Sequence, residues 1–177
     1  MRWMVFLLFP LFLSAKEGML IQIADGDTVV FQNPNTTVTI CQLAFIDAPE
    51  DHENKRVQSQ TSRCALPKAR LLEAGREATL FIKKAVELGQ TYRYETLGSA
   101  EGNWAHCIVH IPKAAHAQLH PTLNGVMLDQ GYGVFLPFSQ KSSHANAMEK
   151  FSQAAQKEKR GLWKTHPHVM ECLSPNP

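Results

Sequence analysis

The residues with the most chemistry in this chain are carboxylates set on turns. Asp47-Ala48-Pro49-Glu50 closes an apolar run that begins at Ile40. It places two acids three residues apart on a turn stiffened by proline, whose fixed φ also biases the preceding residue to extended backbone. Upstream, Asp25-Gly26-Asp27-Thr28 stands between two short apolar segments and offers two more acids. Several acidic groups at the mouth of a small β structure suit a hard cation such as Ca²⁺, which takes carboxylate and carbonyl oxygens. The central expectation is that Asp27, Asp47 and Glu50 converge in space. Taken singly, each motif is bland: Asp-Gly between strands makes a hairpin, and Asp before Ala-Pro is a turn former. Asp25 reads as part of its turn.

The elements that must position these acids follow from the apolar runs. Met19–Ala24 and Thr28–Phe31 are β-type segments joined by Asp-Gly, a hairpin signal. After the turn cluster Gln32–Asn35, the stretch Thr36–Ile46 reads as a third strand, completing a meander. Residues 51–63 are polar, lack any period and read as a mobile loop carrying Lys55, Arg56 and Arg63. Pro67 opens a helix, with inward positions at Ala78, Phe81, Ile82 and Ala85 and a stop at Gly89. Gln90–Thr96 and Trp104–Ile111 read as strands on either side of a turn at Leu97–Gly102. Pro121–Gln130 and Ser143–Arg160 read as two further helices, the second capped by Gly161 with cations in its last turn. Trp163 reads as packing; Trp104 reads as core, with the cleft border as its alternative. The order β-β-β-α-β-β-α-α predicts an α+β chain dominated by a β-barrel: a five-stranded Greek-key barrel of the OB type with three helices.

A length of 177 residues favours one domain, and a net charge of +2 leaves no basic tail or strong field from which to argue nucleic-acid binding. Residues 1–15, MRWMVFLLFPLFLSA, carry a positive start, a short apolar core and a small residue before the cut, as a secretory signal does. The expected divisions are therefore the signal over 1–15, the barrel domain over 16–164 and a tail over 165–177. Such a product is secreted or periplasmic, a monomer, and without a membrane span once the signal is removed. An even count of cysteines in an exported chain points to two disulfides. Cys41, Cys64, Cys107 and Cys172 allow three pairings; the favoured one joins Cys41 with Cys107, both in apolar runs, and Cys64 with Cys172, both in polar segments. Eight histidines invite a transition-metal reading, but no CxxC or HExxH spacing supports one.

Five segments in order carry a resemblance: IADGDTVVF (23–31), QLAFIDAPE (42–50), GREA (75–78), LNGVMLDQGYG (123–133) and AAQKEKRGLW (154–163). Together they resemble the staphylococcal nuclease (thermonuclease) family. The resemblance implies an OB barrel with three helices and Ca²⁺-dependent cleavage of DNA and RNA phosphodiesters, leaving 3′-phosphates. It implies that Asp27 and Asp47 are carboxylate ligands of the ion, that the main-chain carbonyl of Ala48 is a further ligand, and that Glu50 acts as general base on the attacking water. The chemistry is consistent: a cation offsets negative charge on the phosphate, and a nearby carboxylate takes the proton.

The sequence also departs from the family. Where the family has two arginines that clamp the phosphate, this chain has Gln42 and Asn103. A lysine-tyrosine pair of the nucleotide pocket corresponds to Ala100 and Glu101, and two base-flanking tyrosines have no counterpart in the Tyr132–Phe138 region. One preorganised charge stabiliser contributes roughly 10²–10³ in rate, and two lost independently would cost on the order of 10⁴–10⁶. Arg56, Arg63 and Arg93 are the cations that could stand in. The expected function is a secreted, Ca²⁺-dependent nuclease-like phosphodiesterase with an altered clamp, acting on DNA or RNA. The alternative is a catalytically silent nuclease-like domain that binds an ion, an oligonucleotide or a protein.

Overall fold

Alternation of inward and outward side chains builds the barrel. In a computed structural model, which describes residues 15–112, 120–138 and 142–175, the first three strands are β1 (Lys16–Ile23), β2 (Thr28–Gln32) and β3 (Val38–Leu43). The leader reading falls on residues outside that description, except for Ala15. On β2 and β3 the residues Val29, Phe31, Cys41 and Leu43 point inward and are fully buried, while Ile40 and Gln42 face outward and are half-buried. β1 and β2 pair antiparallel, as do β2 and β3, which gives the expected meander.

β5 (Thr91–Glu101) and β6 (Trp104–His110) form the second hairpin, and the closed order is β1-β2-β3-β6-β5. Closure needs a parallel pairing of β3 with β6. The disulfide Cys41–Cys107 crosses that seam, with Cα atoms 5.4 Å apart. Inside the barrel Tyr94 stacks on Phe31 at 4.8 Å, and its hydroxyl reaches Asn33 and Thr39. β5 runs five residues further than its alternation predicts, so the turn shrinks to Gly102-Asn103, where Gly102 takes φ +61°.

The expected strand Thr36–Ile46 is broken. Ala44 and Phe45 turn the chain, Phe45 adopting φ +67°, and the run resumes as β4 (Ile46–Asp47), paired with β7 (Val134–Phe135) in a separate small sheet. A buried asparagine enforces the break. Asn124 donates to the carbonyls of Ala44 and Cys107 and accepts from the Val109 N–H, all within 3.0 Å. It sits on α3 (Leu123–Asp129), capped by the Thr122 side chain. The detour carries Asp47 off the barrel wall and onto its rim.

The segment expected as a mobile loop is instead helical: α1 spans Lys55–Cys64. Its sequence hides this because only Val57 and Gln60 are buried, so no apolar stripe exists. Stability comes from its ends. Asn54 caps the Val57 N–H, Ala65 closes the other end in the left-handed region, and Cys64 is bonded to Cys172. Both disulfides therefore follow the favoured pairing.

The three expected helices are α2 (Lys68–Ala85), α3 and α4 (Ala145–Lys157). After Lys164, where no period is legible, α5 (Leu162–Thr165) gives way to α6 (Pro167–Leu173). α6 opens on a proline and buries Val169, Met170 and Leu173. Among the described residues no helix is long and apolar enough to cross a membrane.

Candidate active site

The site is assembled from two turns and the start of α1. In the β1–β2 turn the Asp25 carboxylate accepts the Asp27 N–H at 3.0 Å, the turn-forming role expected of it. This frees the Asp27 side chain to point across. One of its oxygens accepts the Thr28 hydroxyl and the other accepts the Ala48 N–H, each at 3.0 Å. The hairpin acid is thus pinned to the backbone of the Asp47–Glu50 turn.

On that turn Glu50 accepts from the Asn54 side-chain amide at 2.7 Å. The same amide caps α1 through its oxygen, so a single side chain fixes both the helix start and the Glu50 carboxylate. Arg56, in the first turn of α1, splits its guanidinium: Nη1 lies 3.0 Å from Glu50 and Nη2 contacts Asp47. Asp27, Asp47 and Glu50 are each more than nine-tenths buried, whereas the Arg56 side chain is 38% exposed. The cation covers the acids and faces solvent.

α2 locks the two turns together with small residues. A Cβ on Gly75 would stand 2.1 Å from the Glu50 carbonyl oxygen, so only glycine lets the helix lie directly on that backbone. One turn later Ala78 meets Gly26, where an added Cβ would fall 2.7 Å from the alanine methyl and 3.0 Å from that of Ala48. The GREA segment is the spacer between the acidic turns.

Burial dominates the electrostatics. The Asp27 carboxyl is pushed up to about 7, first by desolvation and then by Asp25, against the pull of the Ala48 N–H, Arg56 and Thr28. Desolvation likewise raises Glu50, opposed mainly by the Asn54 amide. The folded Asp27 holds its proton to about pH 7, whereas the unfolded chain releases it near the ordinary carboxylate value of 3.8. In that window the unfolded state binds fewer protons, so the Asp27 contribution to stability is fully present below about pH 4 and is lost as pH rises to about 7. The drop for this group is on the order of 3–4 kcal/mol. Urea melts in EGTA at pH 4, 5.5 and 7.5 should show it, and Asp27→Asn should flatten the profile. An equal slope in the variant would mean that Asp27 is not the group responsible.

The remaining expectations sort by position. Gln42 lines the cleft beside Asp27, Glu50 and Arg56. Asn103 is exposed in the β5–β6 turn, where its carbonyl accepts the Ile40 N–H. Of the candidate cations only Arg56 reaches the acids. Arg63 lies at the far end of α1, by the Cys172 carbonyl, and Arg93 is exposed on β5 opposite His110. Tyr132 packs on Phe81 at 4.1 Å. Trp104, expected in the core, is 52% exposed and borders the cleft, because it follows directly on the turn and its register neighbour Ile40 faces outward. Asn54 and the spacing role of Gly75 escaped the sequence reading. The first had a signal, since asparagine before a polar decapeptide is a helix N-cap pattern.

The donors fit a hard cation in kind. Among the described residues no group of three His, Cys, Asp or Glu side chains forms a metal cluster by itself. The Asp27 and Asp47 carboxylates nonetheless stand on adjoining turns and are oxygen donors of the kind such an ion takes together with water. Buried Asp27, disfavoured as an anion beside Asp25, is also a group that a cation would relieve.

The chain matches a known protein family. A family model described as "Staphylococcal nuclease homologue" covers residues 40–165. It begins inside β3, so Asp47, Glu50, Arg56 and Gly75 fall within it and Asp27 does not. No curated protein matches the chain.

Proposed function

The chain belongs to the staphylococcal nuclease family, and from that premise we propose that it is a Ca²⁺-dependent phosphodiesterase acting on DNA or RNA, with its phosphate clamp rebuilt around Arg56. One observation carries the reading: Asp47 and Glu50 share a single half-exposed guanidinium on the turn to which Asp27 is pinned. An arginine fork matches a phosphate's oxygens as it matches a carboxylate's, and Gln42 adds a neutral donor beside it.

In this reading Asp27, Asp47 and the Ala48 carbonyl hold the ion. When bound, it supplies positive charge against the charge that builds on the phosphoryl oxygens. Arg56 exchanges a carboxylate for the incoming phosphate and orients it. Glu50, its carboxyl raised by burial and held by Asn54, takes a proton from water as the water oxygen bonds to phosphorus and the opposite P–O bond breaks. Two disulfides support an oxidising destination, outside the cell or in a periplasm.

A second reading, a silent domain that binds an ion, an oligonucleotide or a protein, is favoured by the same ion pairs, because Arg56 already occupies Asp47 and Glu50. Incubating the protein with single-stranded DNA separates the two. Cleavage with Ca²⁺ that stops in EGTA and falls about a hundredfold in Glu50→Gln is the expected result. Equal rates for the two proteins would leave only the silent domain.

A further inference from the structure

We propose that Trp104 is a nucleobase-stacking residue of the cleft, holding an unpaired base of a nucleotide that flanks the phosphate at Arg56; this rests on the reading of the cleft as a nucleic-acid site.

The barrel register arranges the cleft in rows. Trp104 pairs with Ile40 and Ile40 with Val30, so an indole stands beside two outward aliphatic side chains. Two residues further along the strands, Gln42 pairs with Thr28, a row of neutral hydrogen-bonding groups. Beyond them, at the rim, lies the Arg56 guanidinium, and all six residues line one groove. Successive rows are about 7 Å apart, twice the rise per residue of a strand. The surface thus passes from apolar through polar to a rim where the Arg56 guanidinium stands among Asp27 and Glu50, the order in which base, sugar and phosphate follow along a nucleotide when Arg56 takes the phosphate.

The indole is free to act. It is 52% exposed, on a strand whose following residues become buried by Cys107. Stacking on an aromatic face demands a base whose own face is open, which a paired duplex does not offer. Trp104 therefore selects for unpaired segments and tolerates any base. It also supplies an aromatic contact in a chain whose Tyr132 is committed to Phe81.

The test measures binding in a Glu50→Gln background, so that the probe stays intact. The probes are a fluorescent single-stranded octathymidylate and the same backbone with every base removed. Adding Trp104→Ala should weaken the octathymidylate by roughly 5- to 150-fold. It should leave the abasic strand unchanged, and Trp104→Phe should recover most of the loss. Indole fluorescence should be quenched by the first probe and not by the second. Equal weakening for both probes, or for neither, overturns the proposal. Unchanged thermal melts of the two Trp104 variants establish that the fold is intact. The outcome is separable from catalysis: a wild-type protein that cleaves, with no dependence on Trp104, refutes the stacking role alone, whereas base-dependent binding without any cleavage refutes the nuclease reading and keeps the stacking role.

Discussion

Arg56→Ala should lower kcat for single-stranded DNA by about 10²–10³-fold, the usual loss on removing one preorganised charge stabiliser. Calcium affinity should stay the same or rise. The second half of that expectation separates two roles. If Arg56 were only a counter-ion for Asp47 and Glu50, its loss would appear as instability, since two buried acids would be left unpaired. If it receives the phosphate, the rate falls while the ion, freed of a competing cation, binds at least as well. Arg56→Lys should recover little, because an ammonium cannot reproduce the fork. A sharper arm adds Gln42→Arg to Arg56→Ala. Gln42 lines the same cleft from β3, so an arginine there should return part of the lost rate. Kinetics and calcium titration on the same variants provide the check. An Arg56→Ala enzyme with wild-type kcat would end the rebuilt-clamp reading.

Gly75→Ala should be severely damaging. In a helix interior the change ordinarily stabilises by up to about 1 kcal/mol. Here the new Cβ would meet the carbonyl oxygen and carbon of Glu50 at 2.1 and 2.2 Å, and the next residue's nitrogen at 2.6 Å. These are backbone atoms, so no rotamer change relieves the contact. Either α2 retreats or the acidic turn does, and retreat of the helix also unseats Ala78 from Gly26. We expect a loss of about 3 kcal/mol or more, at the upper end of overpacking costs, with activity lost in whatever fraction still folds. Arg76→Ala, one residue on and exposed, should stay within about 0.5 kcal/mol of wild type. Urea melts and cleavage assays on the pair decide the matter. A Gly75→Ala protein as stable as wild type would show that α2 does not rest on the Glu50 backbone.

The barrel was legible because its strands are short, alternate cleanly and are punctuated by Asp-Gly and Asn-Pro. The acids were legible because they sit where runs end. What escaped has a physical cause in each case. α1 buries two residues of ten, so periodicity had nothing to register, and its support comes from a cap and a disulfide. The break at Ala44–Phe45 is imposed from α3 by Asn124, eighty positions away from Ala44, and no local pattern encodes such a bond. Arg56 is one of three candidate cations in the sequence, and nothing local distinguishes it from Arg63 and Arg93. Only the helix beneath it, begun by Asn54, turns its side chain back over Asp47 and Glu50. For Trp104 the alternative reading holds: as the first residue after a turn it stands exposed at the cleft, where the apolar run alone favours the core.

The Cys64–Cys172 link closes a span of 108 residues. It fastens the end of α1 to the helix at the far side of the sequence, so the arm that carries Arg56 is one edge of a cross-braced frame. A reducing cytosol would leave that brace open while the hairpins and barrel wall could still form. Reduction would release the arm that carries Arg56 from this brace and would open the Cys41–Cys107 staple across the barrel seam as well.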